Sequence, residues 1–575
     1  MNTNHEPSSE YVIPISFGST EIIETGNWGF LKPQTSFMTA PCQESCPAGN
    51  PIPQFLYLAT DGRYHEALQI LLRENPFPGV CGRVCFHPCE TDCNRAQYDE
   101  PVSIRSMERY VSDVAANQPL NLKPVRNEGS KRVAIVGAGP AGLSCAYFLS
   151  LLGHPSTIFE SQKEPGGVMR WGIPGYRLPK SILRKEIQRI LCLPIQIKTN
   201  IIVGEDISFD ELTQFDAVFL SPGAGLNTSL SIEGEDLKQV WMGQDFLGRI
   251  NSKEKVTLGK ECIVIGGGNT AMDVARSALR LGSKVTVAYR RTKGEMPAIR
   301  DEIIEAEEEG VRFEFLIQPV KINRLQNKKL AVTFQRMKLS GLDPSGRPKP
   351  IPVKRKFITM ETDQLITAVG EQVDLSWIPQ DLIKNGLIEG NPSSKIFGGG
   401  DAIDQPRTVV HAISSGKKAA ISIDLCLRGE SVNQVFSKIK VGNKGAVSMG
   451  AYLKGREDGE WPEEQRIITY EQINTLYFES SRRVRMRKRS DDKRLKGFSE
   501  VNLSFTSKEA HFSASRCFSC GTCNYCYNCY FFCPEGVISL DPVQRRRIVD
   551  FEHCKGCGTC AKVCPKSVVV MKEVG

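Results

Sequence analysis

The stretch Arg132-Val-Ala-Ile-Val-Gly137-Ala-Gly139-Pro-Ala-Gly142-Leu-Ser-Cys-Ala-Tyr-Phe-Leu149 decides the fold. A β-branched strand, Val133 to Val136, runs straight into Gly-x-Gly-x-x-Gly and then into an apolar helix. Each glycine has its own task in such a turn. Gly137 makes the tight bend, Gly139 lets the backbone approach a pyrophosphate, and Gly142 packs helix on strand; Pro140 and Ala141 open the helix, whose N-terminus favours the phosphate charge. A second strand ends at Glu160, 18 residues past Gly142, where a carboxylate can accept hydrogen bonds from ribose hydroxyls.

The same logic recurs from Glu261 with Gly266, Gly268 and a helix starting near Asn269 and Thr270. Here the strand that should end in an acid ends Tyr289-Arg290-Arg291. Two guanidiniums in place of a carboxylate suit a 2′-phosphate and favour NADPH; if one arginine only stacks or faces solvent, NADH is equally acceptable. Two such units predict two doubly wound α/β nucleotide-binding domains.

With 575 residues the chain is long enough for roughly three to four domains. Its 20 cysteines would suggest disulfides in a secreted protein. The N-terminus, however, has no basic segment followed by an apolar one, and no apolar run approaches the ~18 residues of a membrane span, so a cytoplasmic protein with thiolates on metal is expected. The net charge of +8 is densest in Arg482 to Lys496. That run reads as a solvated linker or as a steering surface for an acidic redox partner; nucleic-acid binding lacks any accompanying motif.

Near the C-terminus one pattern occurs twice, Cys523-x2-Cys526-x2-Cys529-x3-Cys533-Pro and Cys554-x2-Cys557-x2-Cys560-x3-Cys564-Pro. This is the spacing of a bacterial two-cluster ferredoxin, in which the fourth cysteine of each run serves the other cluster. Cys523, Cys526, Cys529 and Cys564 should hold one [4Fe–4S] cluster, and Cys554, Cys557, Cys560 and Cys533 the other. Six more cysteines lie in Cys42-x3-Cys46-Pro and Cys81-x3-Cys85-x3-Cys89-x3-Cys93, beside a helical pattern from Ile52 to Leu72. Further nucleotide-site signals are Glu164-Pro-Gly-Gly167 with Val168, the turn Val218 to Ala224 with Gly223, Leu365 to Gly370, and Lys395 to Ala420. In the last, Gly400 and Asp401 precede Thr408, Val409 and a helix, which suits a carboxylate on a flavin's ribityl chain.

Gly166 to Lys180 (GGVMRWGIPGYRLPK) and Tyr289 to Ala298 (YRRTKGEMPA) make residues 41–425 resemble the small subunit of bacterial glutamate synthase and the flavin module of dihydropyrimidine dehydrogenase. The resemblance implies FAD in the first site, NADPH or NADH in the second, and two [4Fe–4S] clusters on the N-terminal cysteines. It implies Cys46, Cys85 and Cys89 with Glu108 as a non-cysteine ligand for one of these clusters, and Cys42 with Cys93 for the other. The family's opening Cys-x2-Cys pair is absent, since Gln34 and Phe37 stand in its place, but the missing pattern occurs at Ser515-Arg-Cys517-Phe-Ser-Cys520. Cys517 and Cys520 are therefore expected to complete that cluster, making four in all; the alternative is two free thiols and a single N-terminal cluster. Cys81 is left over, and Cys145, Cys192, Cys262 and Cys426 read as small core residues.

The expected organisation is an extended arm (1–40), an α-helical iron–sulfur domain (41–125), an FAD-binding domain (126–258 and 371–427), an NAD(P)H-binding domain (259–370), a linker (428–515) and a ferredoxin-like α+β domain (516–575). The parts imply a cytoplasmic NAD(P)H:acceptor oxidoreductase with a protein redox partner near the ferredoxin end, no nucleic acid and no membrane span; a homodimer is compatible with this reading. The ferredoxin fusion is also similar to the iron–sulfur flavoprotein that works beside dissimilatory sulfite reductase, and to NAD(P)H-linked subunits of formate or aromatic-acyl-CoA systems. The alternative is an electron-transfer subunit inactive outside its complex. No group reads as a catalytic acid, base or nucleophile, because cofactors carry such chemistry.

Overall fold

The computed structural model describes residues 30–117, 131–459, 461, 466–541 and 546–573. Most of the Thr25 to Pro33 stretch and the rest of the N-terminal arm lie outside them. Two five-stranded sheets, parallel throughout, form the centre. In the first, Val133–Val136 is central, flanked by Ser156–Glu160 and Ala217–Leu220, with Ile195–Thr199 and Ile396–Gly398 at the edges. Strand order therefore reverses at the C-terminal end of Val133–Val136, where open α/β sheets bind ligands. The second sheet repeats the scheme, with Glu261–Ile265 between Lys284–Tyr289 and Gln364–Thr367. A three-stranded antiparallel sheet, Ile317–Arg324, Leu330–Leu342 and Pro348–Thr362, is inserted into that domain.

The second sheet also takes Val240–Met242 as an edge strand, followed by the helix Gly243–Asn251. The NAD(P)H-binding unit thus begins well before residue 259. No glycine loop marks this edge strand, so the sequence boundary settled on the first strong motif.

In the N-terminal domain the pattern from Ile52 to Leu72 is two helices, Ile52–Thr60 and Tyr64–Leu72. They break at Asp61-Gly62, where Gly62 takes φ +70°. The helix Pro78–Val84 packs so closely on Ile104–Ala115 that a Cβ at Gly82 would sit 2.5 Å from the Arg109 nitrogen.

Residues 428–515 are not a loose linker. Val435, Ile439, Val441, Val447, Met449, Tyr452, Ile468, Ile473, Val501 and Phe505 are buried, most of them in the same core as the N-terminal and flavin-domain helices. Carboxylates from the N-terminal domain hold the backbone here. Glu74 accepts from the N–H groups of Met449 and Gly450, and Glu44 from that of Asn443. The basic run is partly tied to the molecule, Arg483 pairing with Glu90, Arg487 with Glu509, and Lys488 and Arg494 with Glu308, while Arg482, Arg485, Lys493 and Lys496 stay exposed.

The C-terminal domain pairs Ile538–Asp541 with Arg546–Val549, and its last strand, Val569–Glu573, pairs antiparallel with Leu31–Thr35 from the other end of the chain. Among the described residues no helix is long and apolar enough to cross a membrane. Cys145 and Cys262 are core residues as expected, but Cys192 is exposed and Cys426 half-buried, because each falls at the end of a helix.

Candidate cofactor sites and iron–sulfur thiols

The first glycine loop is shaped by contacts that only glycine permits. Gly137 has φ +92°, and a Cβ on Gly142 would lie 1.9 Å from the Gly137 carbonyl oxygen. Gly139 instead faces open space, and it caps the helix Pro140–Leu151 without any side-chain acceptor. The first-turn N–H groups are left aimed into that space, which fits a pyrophosphate. Gly268 and the helix Asn269–Arg280 repeat the arrangement.

Glu160 is 5 % exposed, and its two carboxylate oxygens accept from the N–H groups of Ala138 (2.7 Å) and Gln162 (2.8 Å). Burial pushes this carboxyl up while the two donors act against the shift. The loop carrying Gly167 closes over the glycine turn: Gly166 N–H donates to Ala138 O at 2.8 Å, and a Cβ on Gly167 would lie 2.8 Å from Gly139 Cα. Val168 beside it is 41 % exposed. Gly223 takes φ +77° with open space beside it.

At the far edge strand, Gly400 N–H donates to Ser415 Oγ (2.9 Å), and burial raises the Asp401 carboxyl. Thr408 caps the helix Val409–Arg428 by accepting from His411 N–H. That helix lies against Pro140–Leu151, where a Cβ on Gly416 would come within 2.3 Å of Ala141 O. Glu160, Gly223, Gly400, Asp401 and Thr408 are therefore assembled around one glycine loop, and an FAD fits the donors and the open space they frame.

In the second site Asn269 Oδ1 accepts from Ile299 N–H at 2.9 Å, which ties the segment after Tyr289–Ala298 to the helix start beside Thr270. The two arginines differ. Arg291 is 2 % exposed, donates to Pro348 O and pairs with Asp343 of the inserted sheet. Arg290 is exposed. Of this pair Arg290 is left exposed while Arg291 is engaged by Asp343 and the Pro348 carbonyl, so one guanidinium rather than two faces solvent at this strand end.

Eight of the cysteines line two cavities. One cavity is lined by Cys523, Cys526, Cys529 and Cys564, and another by Cys533, Cys554, Cys557 and Cys560. The loop backbones match between the repeats. Tyr525 and Tyr527 have φ of 55° and 63°, while Gly556 and Gly558 at the same places have 68° and 78°.

In the N-terminal domain burial raises Cys89, with Cys46, Glu90, Cys85 and Cys42 adding charge nearby, and burial pushes Cys46 up to about 11, with Glu108 next in effect. Glu108 is buried, accepts from Asn50 and Asn75 (3.0 Å each), and is pushed up to about 8 by that burial. Burial and Glu108 also raise Cys81, so this leftover thiol lies beside the Cys46, Cys85, Cys89 and Glu108 set. Burial raises Cys42, followed by the nearby sulfurs of Cys93, Cys520 and Cys517.

Several contributors carry no sequence signal. Phe86, next to Cys85, stacks on His411 (5.8 Å between ring centres, 11°), linking the iron–sulfur domain to the helix capped by Thr408. Backbone N–H groups of His87 and Ser519 donate to Cys85 and Cys517 at 3.3 Å. Such bonds tune cluster potentials. His87 and Ser519 adopt positive φ to make them, which their residue types do not announce.

Three family models match in series. Residues 36–120 match dihydropyrimidine dehydrogenase domain II, 4Fe-4S cluster; 131–416 match pyridine nucleotide-disulphide oxidoreductase; and 522–568 match a 4Fe-4S dicluster domain. Among characterised relatives, the NADPH-Fe(3+) oxidoreductase subunit beta of Geobacter sulfurreducens is 40% identical over 66% of this chain and 63% of its own. The NADP(+)-dependent formate dehydrogenase subunit beta of Moorella thermoacetica is 40% identical over 68% of this chain and 60% of its own. The chain thus spans about three fifths of the length of these two relatives. The glutamate synthase [NADPH] small chain of Escherichia coli is 35% identical over 66% of this chain and 87% of its own length. The chain therefore belongs to the family of the glutamate synthase small chain, with a pyridine nucleotide-disulphide oxidoreductase region between an N-terminal iron–sulfur domain and a C-terminal 4Fe-4S dicluster domain.

Proposed function

We propose that this protein takes hydride from NADPH, in preference to NADH, and exchanges the electrons singly with a protein acceptor that docks at the ferredoxin end. Bound FAD supplies the conversion between two-electron and one-electron chemistry. The observation that carries the reading is that successive thiol groups neighbour one another along the molecule. Phe86 on His411 joins the flavin side to Cys85; Cys89 neighbours both Cys46 and Cys42; and Cys520 is three residues from Cys523.

The chain's own groups do the positioning. Arg290 is assigned to the nucleotide 2′-phosphate, Glu160 to the adenosine ribose of FAD, and Asp401 to its ribityl chain. The exit is assigned to the first ferredoxin loop. There Cys526 is exposed, and Tyr527, Tyr530, Phe531 and Phe532 form an aromatic surface cluster, each between 37% and 46% exposed. Exposed aromatic patches of this kind mark protein contacts.

A second reading, a subunit silent outside its complex, is favoured by the relatives, two of which are named as beta subunits of oxidoreductases. One assay separates the two: anaerobic protein with FAD and clusters in place reduces a viologen or tetrazolium dye with NADPH if it is self-sufficient. No dye reduction by the fully loaded chain supports the obligate subunit.

A further inference from the structure

The thiols of Cys517 and Cys520 lie outside both iron–sulfur family matches, which end at residue 120 and resume at 522. Both are also surplus to the ferredoxin cavities, which are lined by the eight cysteines of the twin runs. Two surplus cysteines at Cys-x2-Cys spacing would carry little meaning alone. Their surroundings are specific. Cys517 has Cys93 and the Lys566 ammonium among its neighbours, and Cys520 has Cys517 and Cys93 beside it. Asn94, adjacent in sequence to Cys93, donates its amide to the Cys520 sulfur at 3.7 Å.

The segment is anchored by contacts that involve no sulfur. Arg95 donates to Arg516 O (2.7 Å), and Arg516 is 3 % exposed, pairing with Asp99 at 3.0 Å and donating to Glu100 O at 2.7 Å. Phe518 lies under the Arg95 guanidinium and against Tyr98 and Phe478. Met38 N–H donates to Gly521 O at 3.0 Å, where a Cβ would meet Met38 O at 2.4 Å. A buried ion pair of this kind costs desolvation and adds geometry more than stability. The arrangement delivers two thiols to the place where Cys42 and Cys93 already stand.

We propose that Cys42 and Cys93 of the N-terminal domain, with Cys517 and Cys520 of the segment entering the ferredoxin domain, together hold one [4Fe–4S] cluster. A metal centre is then the joint between the two ends of the chain. Four soft thiolates, Cys42 and Cys520 buried and Cys93 and Cys517 half-buried, suit such a cluster, and the Asn94 amide and Ser519 N–H aimed at its sulfurs are the donors that tune one. The site deepens the electron-path reading by making the ferredoxin domain a fixed segment of the protein. Loss of the cluster would loosen that domain at its point of attachment.

The test is iron stoichiometry with electron paramagnetic resonance on the full anaerobic chain. The native protein should hold about 16 iron per FAD, four clusters of four. The double variant Cys517→Ser, Cys520→Ser should hold about 12 and lack the same resonance signal that is missing from Cys42→Ser, Cys93→Ser, while keeping its FAD. Limited proteolysis should then release the ferredoxin domain faster. Iron unchanged in the double variant, or a native count of about 12, overturns the proposal. Should the double variant lose FAD and fail to fold, the native count still decides, together with Cys517→Ser alone. That single variant should convert one centre to a three-iron form; four intact clusters in it would overturn the site. The outcome is independent of dye reduction, so a chain with the predicted iron count that fails to reduce dyes would remove the activity reading and leave the joint standing.

Discussion

Arg290 and Arg291 are neighbours of one residue type with opposite fates. Just past the strand Lys284–Tyr289 the two side chains part: Arg291 meets Asp343 and the Pro348 carbonyl while Arg290 stays exposed. The sequence shows two guanidiniums where an acid was expected, but not the distant Asp343 that claims one of them. Arg290→Ala should lower kcat/KM for NADPH roughly 10- to 100-fold, the worth of a charge-assisted contact, and leave NADH untouched. Arg291→Ala should leave the NADPH-to-NADH ratio unchanged and cost about 1–3 kcal/mol, read as a lower Tm. A larger effect of Arg291 than of Arg290 on that ratio would reverse the assignment.

At the level of elements, the glycine loops and their strands were legible because their constraints are local: a turn only glycine can make, followed at once by a helix. The twin cysteine runs were legible for the same reason. The segment 428–515 was not, because its anchors are single apolar residues spaced without period, and several of its charges pair with acids far away in sequence, Arg483 with Glu90 and Lys488 with Glu308. Asp424 shows how such anchoring works. It is fully buried, accepts from His154 Nε2 (2.8 Å) and the Tyr452 hydroxyl, and lies 3.3 Å from Arg456.

Burial opposes its charge, but the His154 and Tyr452 hydrogen bonds and the Arg456 charge prevail and hold this carboxyl below the usual carboxylate range. A depressed carboxyl contributes stability above its ordinary value, near 4, and loses it as pH falls through the lower folded value. Asp424→Asn should therefore cost about 2–4 kcal/mol at pH 7, and the gap to the native chain should narrow as pH drops below about 4. Urea titrations across pH would show this, and a gap that widened in acid would contradict it. Arg276 is the matching case between domains. It is fully buried, contacts Glu302, Glu305 and Glu309 at 2.6–2.8 Å, and covers the Tyr176 ring from the flavin domain. Arg276→Met leaves three buried carboxylates short of a partner and should cost about 3–5 kcal/mol in urea unfolding.

Over the whole molecule, segments near both ends of the described chain meet. Leu31–Thr35 adds a strand to the ferredoxin domain, and the four central thiols are drawn from residues 42, 93, 517 and 520. The family pattern missing at Gln34 and Phe37 is supplied from the far end of the chain, a substitution that spacing could suggest but only the packing of Arg516, Phe518 and Gly521 explains. The ferredoxin domain is then placed at the end of a fixed path from the flavin, and every cluster should equilibrate with the nicotinamide pool. The most direct measurement mixes the oxidised chain with excess NADPH, and the dithionite-reduced chain with excess NADP+, under anaerobic conditions, following flavin absorbance and cluster resonance together. The account predicts that all four cluster signals follow the nucleotide in at least one direction. Flavin that responds in both directions while the ferredoxin signals move in neither would contradict it.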